Sequence, residues 1–155
     1  MLFSKPAIAF LIAGLATFSI QAQEKKITRD QLPPAVEKTV AAEESKGATA
    51  KGFSTEIENG QKLYEAELTE RGHGKDVSMD KDGNVVEVEQ EVSLDSLPGD
   101  VKDGLTKAAG KGRITRVESL TKGGKLVAYE AVVRNGSRRY EVQVGPDGNK
   151  LAHKE

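Results

Sequence analysis

Past residue 30 the hydrophobic and polar positions follow two periods, and each period occurs twice. Leu32, Val36 and Val40 stand four apart, with Pro33 and Pro34 near the start of the run and Gly47 beyond its end. That spacing predicts an amphipathic helix of about three turns. Leu97, Val101 and Leu105, opened by Pro98 and closed by Gly110 and Gly112, predict a second helix, weakened by Gly99 and Gly104. After each helix the period falls to two. Tyr64, Ala66 and Leu68 alternate with Glu65 and Glu67; Val77 and Met79 alternate with Asp76 and Ser78; Val86, Val88 and Val92 alternate with Glu87, Glu89 and Glu91. In the second half Tyr129, Ala131 and Val133 alternate with Glu130 and Val132, and Tyr140, Val142 and Val144 with Glu141 and Gln143. Asn59-Gly60, Arg71-Gly72, Asp82-Gly83, Gly123-Gly124, Asn135-Gly136 and Asp147-Gly148 separate these runs, and such pairs are hairpin signals. Each half therefore predicts one helix followed by about four antiparallel strands, with one sheet face against the helix and the other open and charged.

The halves are copies. A shift of 65 residues without a gap superposes Leu32-Pro33 on Leu97-Pro98, Lys46-Gly47 on Lys111-Gly112, Ser54 on Ser119, Tyr64-Glu65-Ala66 on Tyr129-Glu130-Ala131 and Asp82-Gly83-Asn84 on Asp147-Gly148-Asn149. These matches fall on turn and core residue types in one register. The expected fold class is α+β: two tandem α-β4 repeats, spanning residues 23–92 and 93–155, each with one helix on one face of a four-stranded antiparallel sheet. Whether the two sheets join is open from the residues alone.

Residues 1–22 read differently. A short basic start, an apolar run from Pro6 to Ile20 and a small residue at Ala22 are expected of a secretory signal peptide, which places the rest of the chain in the periplasm or outside the cell. The chain has no cysteine, so no disulfide framework or thiolate metal site supports it. Beyond residue 22 only Phe53, Tyr64, Tyr129 and Tyr140 are aromatic, which suits a thin helix-on-sheet core better than a deep catalytic pocket.

A helix opened by Leu-Pro, a strand carrying Tyr-Glu-Ala and a last hairpin at Asp-Gly-Asn resemble the PepSY-like repeat of small exported bacterial proteins. The resemblance runs from about Gln31 to His153. Tandem copies of this kind are similar in architecture to the β-lactamase inhibitor protein, whose two repeats form one curved sheet with helices on one side. The resemblance implies a non-enzymatic exported module that binds another protein, a protease among the candidates, through its open sheet face. This chain departs from that inhibitor by lacking disulfides and an aromatic-rich binding face, so β-lactamase inhibition is not carried over.

Direct chemistry is sparse. His73 and His153 occupy non-equivalent repeat positions and have no metal-ligand spacing, and no nucleophile elbow or phosphate-binding loop is present. No enzyme and no cofactor are expected. Asp80, Asp82 and Asn84 open like a calcium loop, but Val85 stands where that loop needs glycine, so a hairpin explains them better than a metal site. Glu65 and Glu130 are repeat-related, and as an acid/base pair they would have to lie about 5 to 10 Å apart. Residues 30–90 hold 14 acids and 7 bases, whereas residues 95–155 hold 8 acids and 12 bases, so the copies differ in sign. The acids concentrate on the open strand face, and Glu65, Glu67, Asp76, Glu87, Glu89, Glu130 and Glu141 are the expected partner-binding residues. A protein partner is expected, with a small ligand or a cation such as calcium as the alternative. Nucleic acid is not expected at net charge −1 without a basic, aromatic-interleaved stripe.

Overall fold

The computed structural model describes residues 24–155; the signal-peptide reading falls on residues 1–22, outside the described residues. Strand β1 (Lys25–Ile27) is followed by a short 3₁₀ turn (Arg29–Gln31), helix α1 (Pro34–Ser45), and strands β2 (Ala48–Glu58), β3 (Gln61–Glu70) and β4 (His73–Met79). The series then recurs as β5 (Val85–Glu91), a 3₁₀ turn (Leu94–Ser96), α2 (Gly99–Ala109), β6 (Arg113–Lys122), β7 (Lys125–Asn135) and β8 (Arg138–Val144). All eight strands lie in one sheet in sequence order, each antiparallel to its neighbours.

The helices form where the four-residue apolar spacing demands. Val36 and Val40 of α1 are buried with Leu32, Ala66, Leu68, Val77 and Met79; Val101 and Leu105 of α2 are buried with Val117, Ala131 and Val144. Proline stands at the N-cap of both helices, where its missing N–H costs nothing and its fixed φ suits the approach. The turn after β4 docks directly on α1: Thr39 Oγ1 donates to the Gly83 carbonyl at 2.7 Å. In the second copy the residue at the position of Thr39 is Gly104, whose backbone meets the Gly148 carbonyl, and Gly148 in turn lies against the Asp100 carbonyl. Gly148 has φ +77° and no room for a Cβ.

Two expectations change. The two four-stranded units, whose joining the residues left open, share one continuous sheet, and the repeating phrase is not helix and four strands but strand, helix, three strands. Lys26 pairs with Ser54 as Glu91 pairs with Glu118, so β1 is the counterpart of the end of β5. After α2 only three strands follow, with one isolated bridge, Val144 to Lys150, where a fourth was expected. The physical reason is that a strand has two edges. β5 bonds to β4 through its hairpin and to β6 after the α2 connection, so it closes one copy and opens the next.

The second change concerns register. Ser54 pairs with Glu65, and Glu118 pairs with Glu130, so β6 tracks β2 at a spacing of 64 residues although β7 tracks β3 at 65. Helix α2 has 11 residues against 12 in α1, and the lost residue is restored by a bulge at Val127, skipped between Leu126 and Ala128 in the pairing. The ungapped superposition of Ser54 on Ser119 is therefore displaced by one residue. In a strand one residue reverses the face.

Candidate functional site

Opposite the helices the sheet presents cross-strand rows. One row runs Ser54, Glu65, Ser78, Glu87, Lys122; the next runs Gly52, Glu67, Asp76, Glu89, Leu120, Ala128; a third runs Glu91, Glu118, Glu130, Gln143. Directly opposed side chains in such rows have Cβ atoms about 4.5 to 5.5 Å apart, so the expected acids Glu65, Glu67, Asp76, Glu87 and Glu89 are brought into one patch. Glu130 joins from the third row. Glu141, opposite Val132, stands exposed at the β8 margin.

The face is not the uniformly solvated surface that alternation suggests. Leu63, Leu120, Ala128 and Val132 are buried on it, and they form an apolar floor between the carboxylates. Glu65, Asp76 and Glu89 are half-buried, and among the described residues none of them has an ion-pair or hydrogen-bond partner. The peripheral acids are compensated. Lys122 pairs with Glu87 at 3.2 Å, Lys26 with Glu67 at 3.5 Å, and Lys154 with Glu130 at 3.4 Å and Glu141 at 3.5 Å. Gln143 Nε2 donates to Glu130 at 2.8 Å.

One central acid has no precedent in the sequence reading. Glu118 is 3% exposed, pairs with Arg116 at 3.1 Å, and places a carboxylate oxygen within 4.8 Å of oxygens from both Asp76 and Glu89. Its counterpart in the first copy is Ser54, itself buried and with its hydroxyl unpartnered. The ungapped repeat register sets Glu118 against Phe53, a residue on the helix face, which concealed it. Allowance for the shorter helix would have exposed it.

Burial and like charge act together here. Burial first, and then the charges of Glu118, Glu87, Glu130 and Asp76, push Glu89 up to about 8. Glu65 is pushed up to about 7 by burial and by Asp76, Glu24, Glu56 and Glu67. Asp76, Glu87 and Glu118 are raised for the same first reason, Glu87 against the opposing pull of Lys122, and Asp76 and Glu118 against that of Arg116.

The remaining candidates lie apart. Glu65 and Glu130 sit on strands four places apart in the sheet, about 19 Å at ordinary strand spacing, so they form no acid/base pair. Asp80 spends its carboxylate on its own turn: Oδ1 accepts from the N–H groups of Asp82 and Asn84, and Oδ2 from the Asn84 side chain at 2.8 Å. Asp147 repeats this with Asn149. His73 begins β4 and His153 lies at the far margin of the sheet, both exposed.

The family model described as "Putative beta-lactamase-inhibitor-like, PepSY-like" matches twice, over residues 18–86 and 62–151. No curated protein sequence matches the chain. Among solved structures, a protein from Bacteroides eggerthii described as a putative periplasmic protein is similar with a TM-score of 0.62 and 18% identity, covering 77% of this chain and 86% of its own. A DUF2874 family protein from Bacteroides ovatus is similar at 0.60 and 21% identity, covering 79% and 86%. A BLIP-like protein from Bacteroides fragilis is similar at 0.56 and 20% identity, covering 77% and 83%. These likenesses bear on the fold.

Proposed function

Given that the chain belongs to the PepSY-like, β-lactamase-inhibitor-like family, we propose that it is an exported, non-enzymatic module that grips another protein through the acidic patch on its uncovered sheet face. The observation that carries this reading is the trio Glu65, Asp76 and Glu89: half-buried, in no ion pair among the described residues, and set on the apolar floor of Leu63, Leu120 and Val132. Carboxylates desolvated without compensation cost stability, and a cationic side chain from a partner removes that cost as it binds. An apolar floor ringed by charge is also the usual anatomy of a binding hot spot. The partner segment therefore presents Arg or Lys beside apolar residues, and a protease is one candidate for its source.

Capture from a periplasmic extract tests this. Wild type should retain partners that Glu65→Lys/Glu89→Lys loses, while a charge reversal at exposed Lys38 on α1 should change nothing; equal recovery by all three removes the reading.

A second reading, binding of a divalent cation, is favoured by the approach of the Asp76, Glu89 and Glu118 oxygens to within 4.8 Å of one another. Calcium titration followed by thermal melting separates the two. The protein-binding reading expects no change in Tm, and a saturable rise that Glu89→Gln abolishes would replace it with the cation reading.

A further inference from the structure

Strands β4 and β8 are counterparts residue for residue, His73–Met79 against Arg138–Val144 at the 65-residue spacing. Their outer edges are treated differently. That of β4 is filled along its length by β5, with Lys75 against Gln90, Asp76 against Glu89 and Val77 against Val88. There Val88 packs into the first core beside Val77. The outer edge of β8 receives a single bridge, Val144 to Lys150. Beyond it the chain leaves the edge and crosses to the other face, where Lys154 pairs with Glu130 and Glu141 and the Glu155 N–H donates to Gln143.

Between β8 and this departing segment lies a groove of about 690 Å³, lined by Gly104 and Ala108 of α2, Val142, Val144 and Leu151. It occupies the place that β5 fills in the first copy. The chain's own residues 150–155 are poor fillers, because His153 stands where β5 has Val88 and Lys150 where it has Val85. A long unpaired edge is a ready template for another strand, and nothing on β8 blunts it by proline or bulge. The opposite end of the sheet is protected differently, by a β1 of only three residues with Lys25 and Lys26 exposed.

We propose that the outer edge of β8 and its groove receive an extended segment of a partner protein as an added antiparallel strand, one that alternates apolar residues toward α2 with polar residues on the opposite side, in the pattern of β5. The apolar half of that pattern follows from the groove and from what β5 does in the first copy. The opposite side selects no charge sign, because its cations are already paired, Arg139 with Glu141 at 3.1 Å and Lys154 with Glu130 and Glu141 at 3.4 and 3.5 Å. Main-chain pairing would supply affinity and the groove would supply selectivity, as in other strand additions. This edge site does not depend on the acidic patch, which lies on strands nearer the middle of the sheet.

The probe is a synthetic peptide with the sequence of β5 and its flanks, Asn84 to Val92, added to the ¹⁵N-labelled chain. Saturable shifts are expected at Tyr140–Val144, with slowed hydrogen exchange at the outward-facing amides of Glu141 and Gln143, shifts at Gly104–Ala108, and little change around Glu89 and Glu118. A peptide with Val86 and Val88 both changed to Asp should bind at least about tenfold more weakly, and one N-methylated along its backbone should not bind. Variation on the peptide leaves the fold of the chain untouched. The proposal is overturned by no shifts at millimolar peptide, by shifts confined to the acidic face, by equal binding of the Asp-substituted peptide, or by protection of the Glu141 and Gln143 amides without peptide. Concentration-dependent self-association that perturbs the same amides would make a second copy the occupant and would equally overturn it.

Discussion

Glu89 shows what one carboxylate contributes when its neighbours are acids and leucine rather than water. Its ordinary value of 4.5 is pushed up to about 8 by burial and then by surrounding charge, and Glu65 follows to about 7. An acid raised on folding holds a proton that the unfolded chain has already released. The stability it contributes is full below about pH 4.5 and is lost as pH rises through about 7 to 8. Tm should therefore fall between pH 5 and pH 9, and Glu89→Gln should flatten that slope; a Tm that rises over this interval would contradict the assignment. Ser54 makes the complementary case. Its buried hydroxyl has no partner, so Ser54→Ala should leave stability unchanged or raise it by up to about 1 kcal/mol in chemical denaturation. The acids at the patch were legible from alternation, because period two reports which face a side chain takes. Their desolvation was not, since it depends on Leu120, Ala128 and Val132 arriving from other strands.

At the scale of elements, each copy ties its helix to its sheet at the same two points by different chemistry. Lys75 bonds Glu43 of α1 at 2.6 Å, whereas its counterpart Tyr140 donates its hydroxyl to the Ala109 carbonyl at the end of α2 at 2.8 Å. Tyr140→Phe leaves that carbonyl without this donor and should cost about 1 kcal/mol. The turns after β4 and β8 are the second point. Gly148→Ala meets both a positive φ and the Asp100 carbonyl, so a loss of about 2 kcal/mol or more is expected by denaturant titration. Gly83→Ala should behave alike, against the Ala35 carbonyl. Helix limits, hairpin turns and glycine positions were readable in advance because they rest on local backbone preference. The bulge at Val127 was not, since it compensates for a residue missing from α2 about twenty positions earlier. Only the paired strands show both.

For the whole molecule the consequence of sharing β5 is mechanical continuity. Each half has its own helix and core, but β5 is hydrogen-bonded to β4 and β6 at once. Unfolding of either half strips one edge of this strand, so the halves should melt in one transition. Far-ultraviolet circular dichroism and tyrosine fluorescence should then give coincident denaturation curves, and two separated transitions would show that the halves are independent. The charge difference between copies falls across this shared strand, with the acidic patch in the first copy and the middle of the sheet and the surplus of bases at the β8 end. By itself the sequence determined the two helices, the hairpin turns, the duplication, the inward faces of β3, β4, β5, β7 and β8 and the family resemblance, because all of these follow from local spacing and residue type. The tertiary structure decided what depends on contacts between distant segments: that the sheet is single, that the repeat begins with a strand, that Glu118 enters the patch, and that the β8 edge stands unpaired. A strand's sequence states which residues share a face, but its two edges carry the same backbone groups whatever the side chains, so the neighbour on each edge is settled only when the chain has folded.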